Sequence, residues 1–147
     1  MISKKDLSEQ DIRTKYITPA INKAGWDKMT QLSEDVYLTE GKIFVRGNMF
    51  ARGKRKRADY VLYYKPNIPV AIIEAKDNNH TVRHGIQQAL GYREFLPDVP
   101  CVYSSNGDAF FEHDLTSSNG VLEREIPLDE FPSPEELWKK WGQVNNT

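Results

Sequence analysis

The sequence predicts an α/β fold, a central mixed β-sheet flanked by helices, and three observations carry that expectation. A run of β-forming residues from Ala58 to Tyr64 is followed by a turn signal and by a second such run from Pro69 to Lys76. Segments with apolar residues at helical spacing, over about 8–24 and 80–96, stand on either side of that pair. Two more short β-forming runs and a well-marked helix start follow, so that helices and strands alternate as in a sheet with helical cover. A length of 147 residues suits one domain over 1–147 with a core of its own.

Taken in order, Ser8 and Asp11 have the spacing of a capping box, with Asp in place of the usual Glu or Gln. Ile12, Tyr16, Ala20, Ile21 and Ala24 then mark a helix that Gly25 can stop, and Pro19 within it predicts a kink or break. From Val36 to Phe50 the alternation is uneven and Gly41 and Gly47 punctuate it, which suits short strands or an extended arm. Lys65-Pro66-Asn67 turns the chain between the two long β runs. Pro66 cannot take the positive φ of the favoured two-residue hairpin turns, so a four-residue loop over 65–68 is expected. Val82, Ile86, Ala89, Leu90 and Leu96 form one apolar helical stripe ended by Pro97. Cys101–Ser104 and Ala109–Glu112 read as strands around an Asn106-Gly107-Asp108 turn. Ser133 at the N-cap, Pro134 at the first helical position and Glu135 and Glu136 in the first turn begin a last helix.

The bulk composition excludes several classes. With 39% hydrophobic and 28% charged residues the chain is an ordinary globular one. Its single cysteine, Cys101, excludes an internal disulfide, argues against a cysteine-based zinc site and makes a cytoplasmic setting the expectation. The opening MISKKDLSEQD lacks the apolar core of a signal peptide, and no apolar run nears the roughly 20 residues that span a bilayer, so no membrane association is expected. A net charge of -1 hides an uneven distribution. Arg46, Arg52, Lys54, Arg55, Lys56 and Arg57 crowd one segment, with Arg83, His84 and Arg93 later, while acidic residues gather in the last quarter. Such a chain either turns a basic face to a polyanion or carries the cluster as a solvated loop.

The hairpin allows a geometric step. Glu74 and Lys76 share one strand face, their Cα atoms ~6.6 Å apart. A turn centred on Pro66 and Asn67 sets Asp59 directly opposite Glu74, provided no bulge intervenes. Opposed carboxylates with Cβ atoms ~5 Å apart repel, and a largely apolar hairpin tolerates them when a cation or proton lies between. Hard oxygen donors suit Mg²⁺ or Mn²⁺. Lys76 is placed to hold an attacking water or to meet charge growing on a phosphate. The plainer alternative is a strand-initial Asp59 and a surface Glu74–Lys76 ion pair.

Asp59, Glu74 and Lys76 resemble the site of the PD-(D/E)XK nuclease superfamily, with Ala58 standing where the nominal motif has proline. More narrowly, the chain resembles the N-terminal nuclease domain of the restriction (R) subunit of type I restriction–modification enzymes. The segments that carry this are Ala24-Gly25-Trp26, Arg55-Lys56-Arg57-Ala58-Asp59-Tyr60, Ile73-Glu74-Ala75-Lys76, Gln88-Ala89-Leu90-Gly91-Tyr92, Tyr103-Ser104-Ser105-Asn106-Gly107 and Pro132-Ser133-Pro134-Glu135-Glu136-Leu137. The resemblance implies a restriction-endonuclease-like fold and hydrolysis of double-stranded DNA. It implies Asp59 and Glu74 as ligands of Mg²⁺ or Mn²⁺ and Lys76 as catalytic. The family's Q-x-x-x-Y motif maps onto Gln88 and Tyr92, four apart on one helix face, where an amide and a phenol can meet DNA; a polar and an aromatic residue at the core's edge would look the same. Glu9 matches an acid that the family often places on the first helix, with Asp11 the weaker match because it can serve the cap. Arg55, Lys56 and Arg57 enter as DNA contacts with Gln88 and Tyr92.

In the family the R subunit also carries an ATP-driven translocase and works with specificity and methylation subunits. This sequence has no G-x-x-x-x-G-K-[ST] loop, so ATP is expected only of a longer subunit of which 1–147 would be a fragment. Two competing functions stay open from sequence: a catalytically silent DNA-binding or assembly module, and a stand-alone nuclease for another nucleic acid. His80 and His84, four apart, lack an evident third metal ligand and are read as solvent-exposed or DNA-facing. Tyr60, Tyr63, Phe110 and Phe111 are read as core, and Trp138 and Trp141 as packing for the last helix.

Overall fold

The computed structural model describes residues 2–39, 55–117, 120 and 122–145. Arg46, Arg52, Lys54 and the 40–50 part of the expected strands or arm lie outside the described residues, as does the side chain of Arg55. Among the described residues, six strands form one sheet: β1 (Leu32–Thr39), β2 (Arg55–Lys65), β3 (Ile68–Ala75), β4 (Cys101–Ser105), β5 (Ala109–Asp114) and β6 (Glu123–Pro127). They neighbour one another in chain order, antiparallel throughout except for the parallel pair β3–β4. A parallel step needs a crossover, which the segment between these strands supplies.

The first helical segment runs as α1 (Glu9–Ile12), a π-helical turn (Arg13–Ile17) and α2 (Thr18–Lys23). Its capping box forms as read: Asp11 N–H donates to Ser8 Oγ at 3.0 Å and Ser8 N–H to Asp11 Oδ2 at 3.4 Å. Pro19 lacks an N–H and crowds the carbonyl four residues back, and the wider π turn before it takes up both effects. The expected break is therefore a change of winding. Gly25, at φ +108, ends the segment.

At the hairpin the expected four-residue loop is corrected to a two-residue turn. Lys65 pairs with Ile68, and Asn67 supplies the positive φ (+67) while Pro66 sits before it, the pattern of a type II turn. The ladder then slips twice: Tyr64 is extra on β2, and Val70 is extra on β3. The two irregularities cancel, so Leu62–Ala71, Val61–Ile72 and Tyr60–Ile73 recover the register that the sequence implied.

The expected helix over 80–96 is shorter. Turns at 78–79 and 82–85 are followed by α3 (Ile86–Gly91) and a 3₁₀ turn at Tyr92–Glu94. The reason lies in tethers to the strands: Gly85 N–H donates to Ser104 Oγ at 2.9 Å, and Asn106 Nδ2 donates to the His80 carbonyl at 2.7 Å. These hold the segment against the ends of β3 and β4 in place of helical hydrogen bonds.

Alternate residues feed two cores, one on each sheet face. Ala71, Ile73, Cys101, Tyr103 and Phe110 pack with Ile12, Ile17, Ile21 and Leu137. Ile72, Val102 and Phe111 pack with Ile86, Ala89 and Tyr92. The last helix, α4 (Pro134–Asn145), is capped by Ser133, which exchanges 3.2 Å bonds with Glu136. Trp138 stacks on Tyr64 at 4.5 Å and Trp141 on Trp138 at 4.9 Å. Among the described residues no helix is long and apolar enough to cross a membrane.

Candidate functional site

One residue beyond the Tyr60–Ile73 pair, β2 carries Asp59 across from Glu74 on β3. Both carboxylates are buried, Asp59 at 2% and Glu74 at 4% exposure. Asp59 Oδ2 accepts the Ala75 N–H at 2.8 Å, while Glu74 Oε1 receives a long 3.4 Å contact from Asp59 N–H. Burial first, and then the charge of Asp59 and a hydrogen bond with it, push the Glu74 carboxyl up to about 8. Asp59 Oδ1 has Arg13 and Arg57 each 3.7 Å away, whereas among the described residues Glu74 makes no ion pair. The hard oxygens of the two carboxylates fit Mg²⁺ or Mn²⁺, which takes one or two carboxylates and leaves its other positions to water and substrate oxygens. Among the described residues no group of three or more His, Cys, Asp or Glu is arranged to hold a metal ion.

Lys76, just past the end of β3, continues the parallel ladder by donating its N–H to the Ser105 carbonyl at 2.9 Å. Its ammonium donates to Gln88 Oε1 at 3.1 Å, and Gln88 Nε2 donates to Tyr92 Oη at 2.9 Å. The expected Gln88–Tyr92 pair on α3 and its 3₁₀ extension is thus joined to Lys76 by one chain of hydrogen bonds. Burial, and then the charge of Glu74, push the Tyr92 phenol up to about 12, so it stays protonated at neutral pH. Gln88 and Tyr92 also line a groove of about 250 Å³ with the exposed Lys56. The half-exposed Arg57 lies elsewhere, 3.7 Å from Asp59 Oδ1 and 3.8 Å from Asp35 Oδ1.

The two acids of the first helix part company. Asp11 is spent on the cap. Glu9 is half-buried, its carboxyl raised by burial and by Asp59 and lowered by Arg13, Lys76 and Arg57, which places it within the electrostatic reach of the site. His80 and His84 are exposed and stack on each other at 4.3 Å.

Three residues of the site escape the sequence reading. Arg13 is buried and donates to the Asp59 carbonyl at 3.1 Å. Its signal is faint: it stands four residues after Glu9, on the same helical face. Gly85 approaches so closely that a Cβ there would lie 3.1 Å from Glu74 Cγ and 3.0 Å from Ser104 Oγ. Ser104, beside Glu74 in the β3–β4 ladder, holds that glycine. Only the parallel crossover brings Gly85 and Ser104 to Glu74, and no local pattern announces it.

The chain is 51% identical over 137 residues to the type I restriction enzyme EcoAI endonuclease subunit of Escherichia coli, covering 92% of this chain and 17% of that protein. Its fold matches a solved fragment, described as an HsdR subunit of a type I restriction enzyme from Vibrio vulnificus, with a TM-score of 0.74 and 36% identity. That match covers 92% of this chain and 25% of the other. The chain therefore spans a minor share of both relatives. The family described as the type I restriction enzyme R protein N terminus matches residues 43–116, and the chain belongs to that family.

Proposed function

We propose that residues 1–147 form one nuclease unit of a type I restriction enzyme R subunit, a metal-dependent endonuclease that hydrolyses phosphodiesters of double-stranded DNA. The observation that carries this reading is the pair of buried, opposed carboxylates, Asp59 and Glu74, beside the Lys76–Gln88–Tyr92 chain. Asp59 and Glu74 would hold Mg²⁺ or Mn²⁺, with Glu9 a nearby third acid. When bound, such an ion polarises a phosphoryl oxygen and lowers the pKa of its bound water.

The remaining work falls to this chain's own groups. Lys76 holds the attacking water or meets the charge that develops on the phosphate. Gln88 fixes the direction of Lys76 by accepting from its ammonium. Because Gln88 donates to the Tyr92 oxygen, the neutral phenol keeps its own proton to offer to a DNA phosphate. Lys56 and Arg57, with Arg55, supply positive charge along the path of the backbone. The similarity to one part of a type I restriction enzyme endonuclease subunit supports a setting with an ATP-driven translocase and with specificity and methylation subunits.

The test is plasmid cleavage with Mg²⁺ and ATP by a complete R subunit assembled with its partner subunits. Lys76→Ala and Glu74→Ala are expected to lower the cleavage rate at least about 100-fold, the scale of losing a group that meets transition-state charge. Cleavage by both variants at the wild-type rate would remove the assignment.

A further inference from the structure

Arg13 grips Asp59 at both ends. Its Nη2 donates to the Asp59 carbonyl at 3.1 Å and to Glu34 Oε1 at 3.0 Å, while Nη1 donates to Asp35 Oδ1 at 3.0 Å and lies 3.7 Å from Asp59 Oδ1. A planar guanidinium presents its donors in a fixed fork, so it can hold a main-chain oxygen and a side-chain oxygen of one residue in set directions, where an ammonium offers a point charge with rotatable donors. Asp59 Oδ2 is fixed by the Ala75 N–H, while Oδ1 faces two guanidiniums, 3.7 Å from Arg13 Nη1 and 3.7 Å from Arg57 Nη2.

The arrangement is costly in two ways that a simple ion pair would avoid. The Arg13 side chain is only 3% exposed and its Nε is buried without a hydrogen-bond partner. Asp35, inside β1, sits at φ +53, a left-handed conformation that strains a residue with a Cβ. The β1–β2 ladder pairs Glu34 with Tyr60 and Val36 with Ala58, so Asp35 falls across from Asp59. It is left out of the ladder, with its carboxylate on Arg13. A pair formed for stability alone gains little at the half-exposed Glu34 and Asp35, and it gives no reason for either cost.

We propose that Arg13 is a positioning residue that aims the Asp59 carboxylate for a divalent cation, and that the strained Asp35 steers Arg13 into that role. The inference rests on the metal-site reading of Asp59 and Glu74. Glu34 and Asp35 balance the two positive charges of Arg13 and Arg57, so the guanidiniums leave no net positive charge opposing a cation at Asp59.

The experiment is Mn²⁺ binding by calorimetry to the metal-free chain, alongside its thermal midpoint in EDTA. Arg13→Lys keeps the charge and loses the fork; it is expected to weaken Mn²⁺ binding about tenfold, the scale for losing a group that orients a metal ligand. Asp35→Gly relieves the positive φ. Its metal-free midpoint is expected at or above wild type while Mn²⁺ affinity drops about tenfold, opposite movements that a merely structural role does not produce. Unchanged affinity in either variant, or affinity that falls only in step with the metal-free midpoint, would overturn the proposal. Asp59→Asn serves as the control: if it binds Mn²⁺ as wild type does, the metal-site reading itself is wrong. If it loses binding while Arg13→Lys does not, only the role of Arg13 is.

Discussion

Glu112 on β5 and Glu74 on β3 are both buried, at 1% and 4% exposure, yet their surroundings differ in kind. Glu112 is provided for: it accepts from the Tyr103 hydroxyl at 2.8 Å and from Arg124 Nε at 2.9 Å. Glu74 faces another carboxylate, and the nearby ammonium of Lys76 is turned to Gln88. The first is a charge with its partners built in, as the interior requires. The second is a charge whose partner must arrive, either as a proton or as a cation. Burial alone does not separate a structural carboxylate from a functional one; the partner inventory does.

That contrast can be broken by substitution. The larger effect on stability belongs to the satisfied residue. Glu112→Ala takes the carboxylate acceptor from the fully buried Tyr103 hydroxyl and is expected to cost about 3 kcal/mol in chemical denaturation. A cost well below about 1 kcal/mol would mean that the network holds little, and the two glutamates would no longer differ as described.

The smaller effect has the opposite sign. Glu74 stands at about 8 in the folded chain against an ordinary value of 4.5, so the folded state keeps a proton that the unfolded state releases. The contribution of this group to stability is complete below pH 4.5 and is lost as pH rises through 8. The metal-free wild type should therefore lose stability across that window. Glu74→Gln, which cannot ionise, should flatten the slope and gain roughly 1–2 kcal/mol at the alkaline end. Denaturation series in EDTA across the window measure both.

Much of this architecture was legible in the sequence, for local reasons. Alternating β-formers and a turn centred between Pro66 and Asn67 place Asp59 across from Glu74, and that register survives although the loop was read as too long. It survives because the slips at Tyr64 and Val70 cancel, which no sequence rule forecasts. The capped helix starts at Ser8 and Ser133 form as read. What stayed hidden depends on contacts between distant segments. The helix expected over 80–96 is shortened by tethers to Ser104 and Asn106. The edge strand β6, with Glu123, Arg124 and Glu125 outside and Ile126 inside, carries the charges that guard a sheet edge and so conceals its strand character. Arg13 reads as an ordinary charged residue of a helix until the fold lays that helix against β1 and β2.

On the metal-site reading, Glu74 keeps a place for a cation by holding a proton in its stead. Mn²⁺ binding to the metal-free chain at pH 7, measured by calorimetry in buffers of different ionisation enthalpy, tests it most directly. A ligand that must lose its proton ties metal binding to proton release. The wild type should release roughly one proton per Mn²⁺ bound, and Glu74→Gln should release almost none. Mn²⁺ binding without proton release in the wild type would mean that Glu74 holds no proton for a cation to displace.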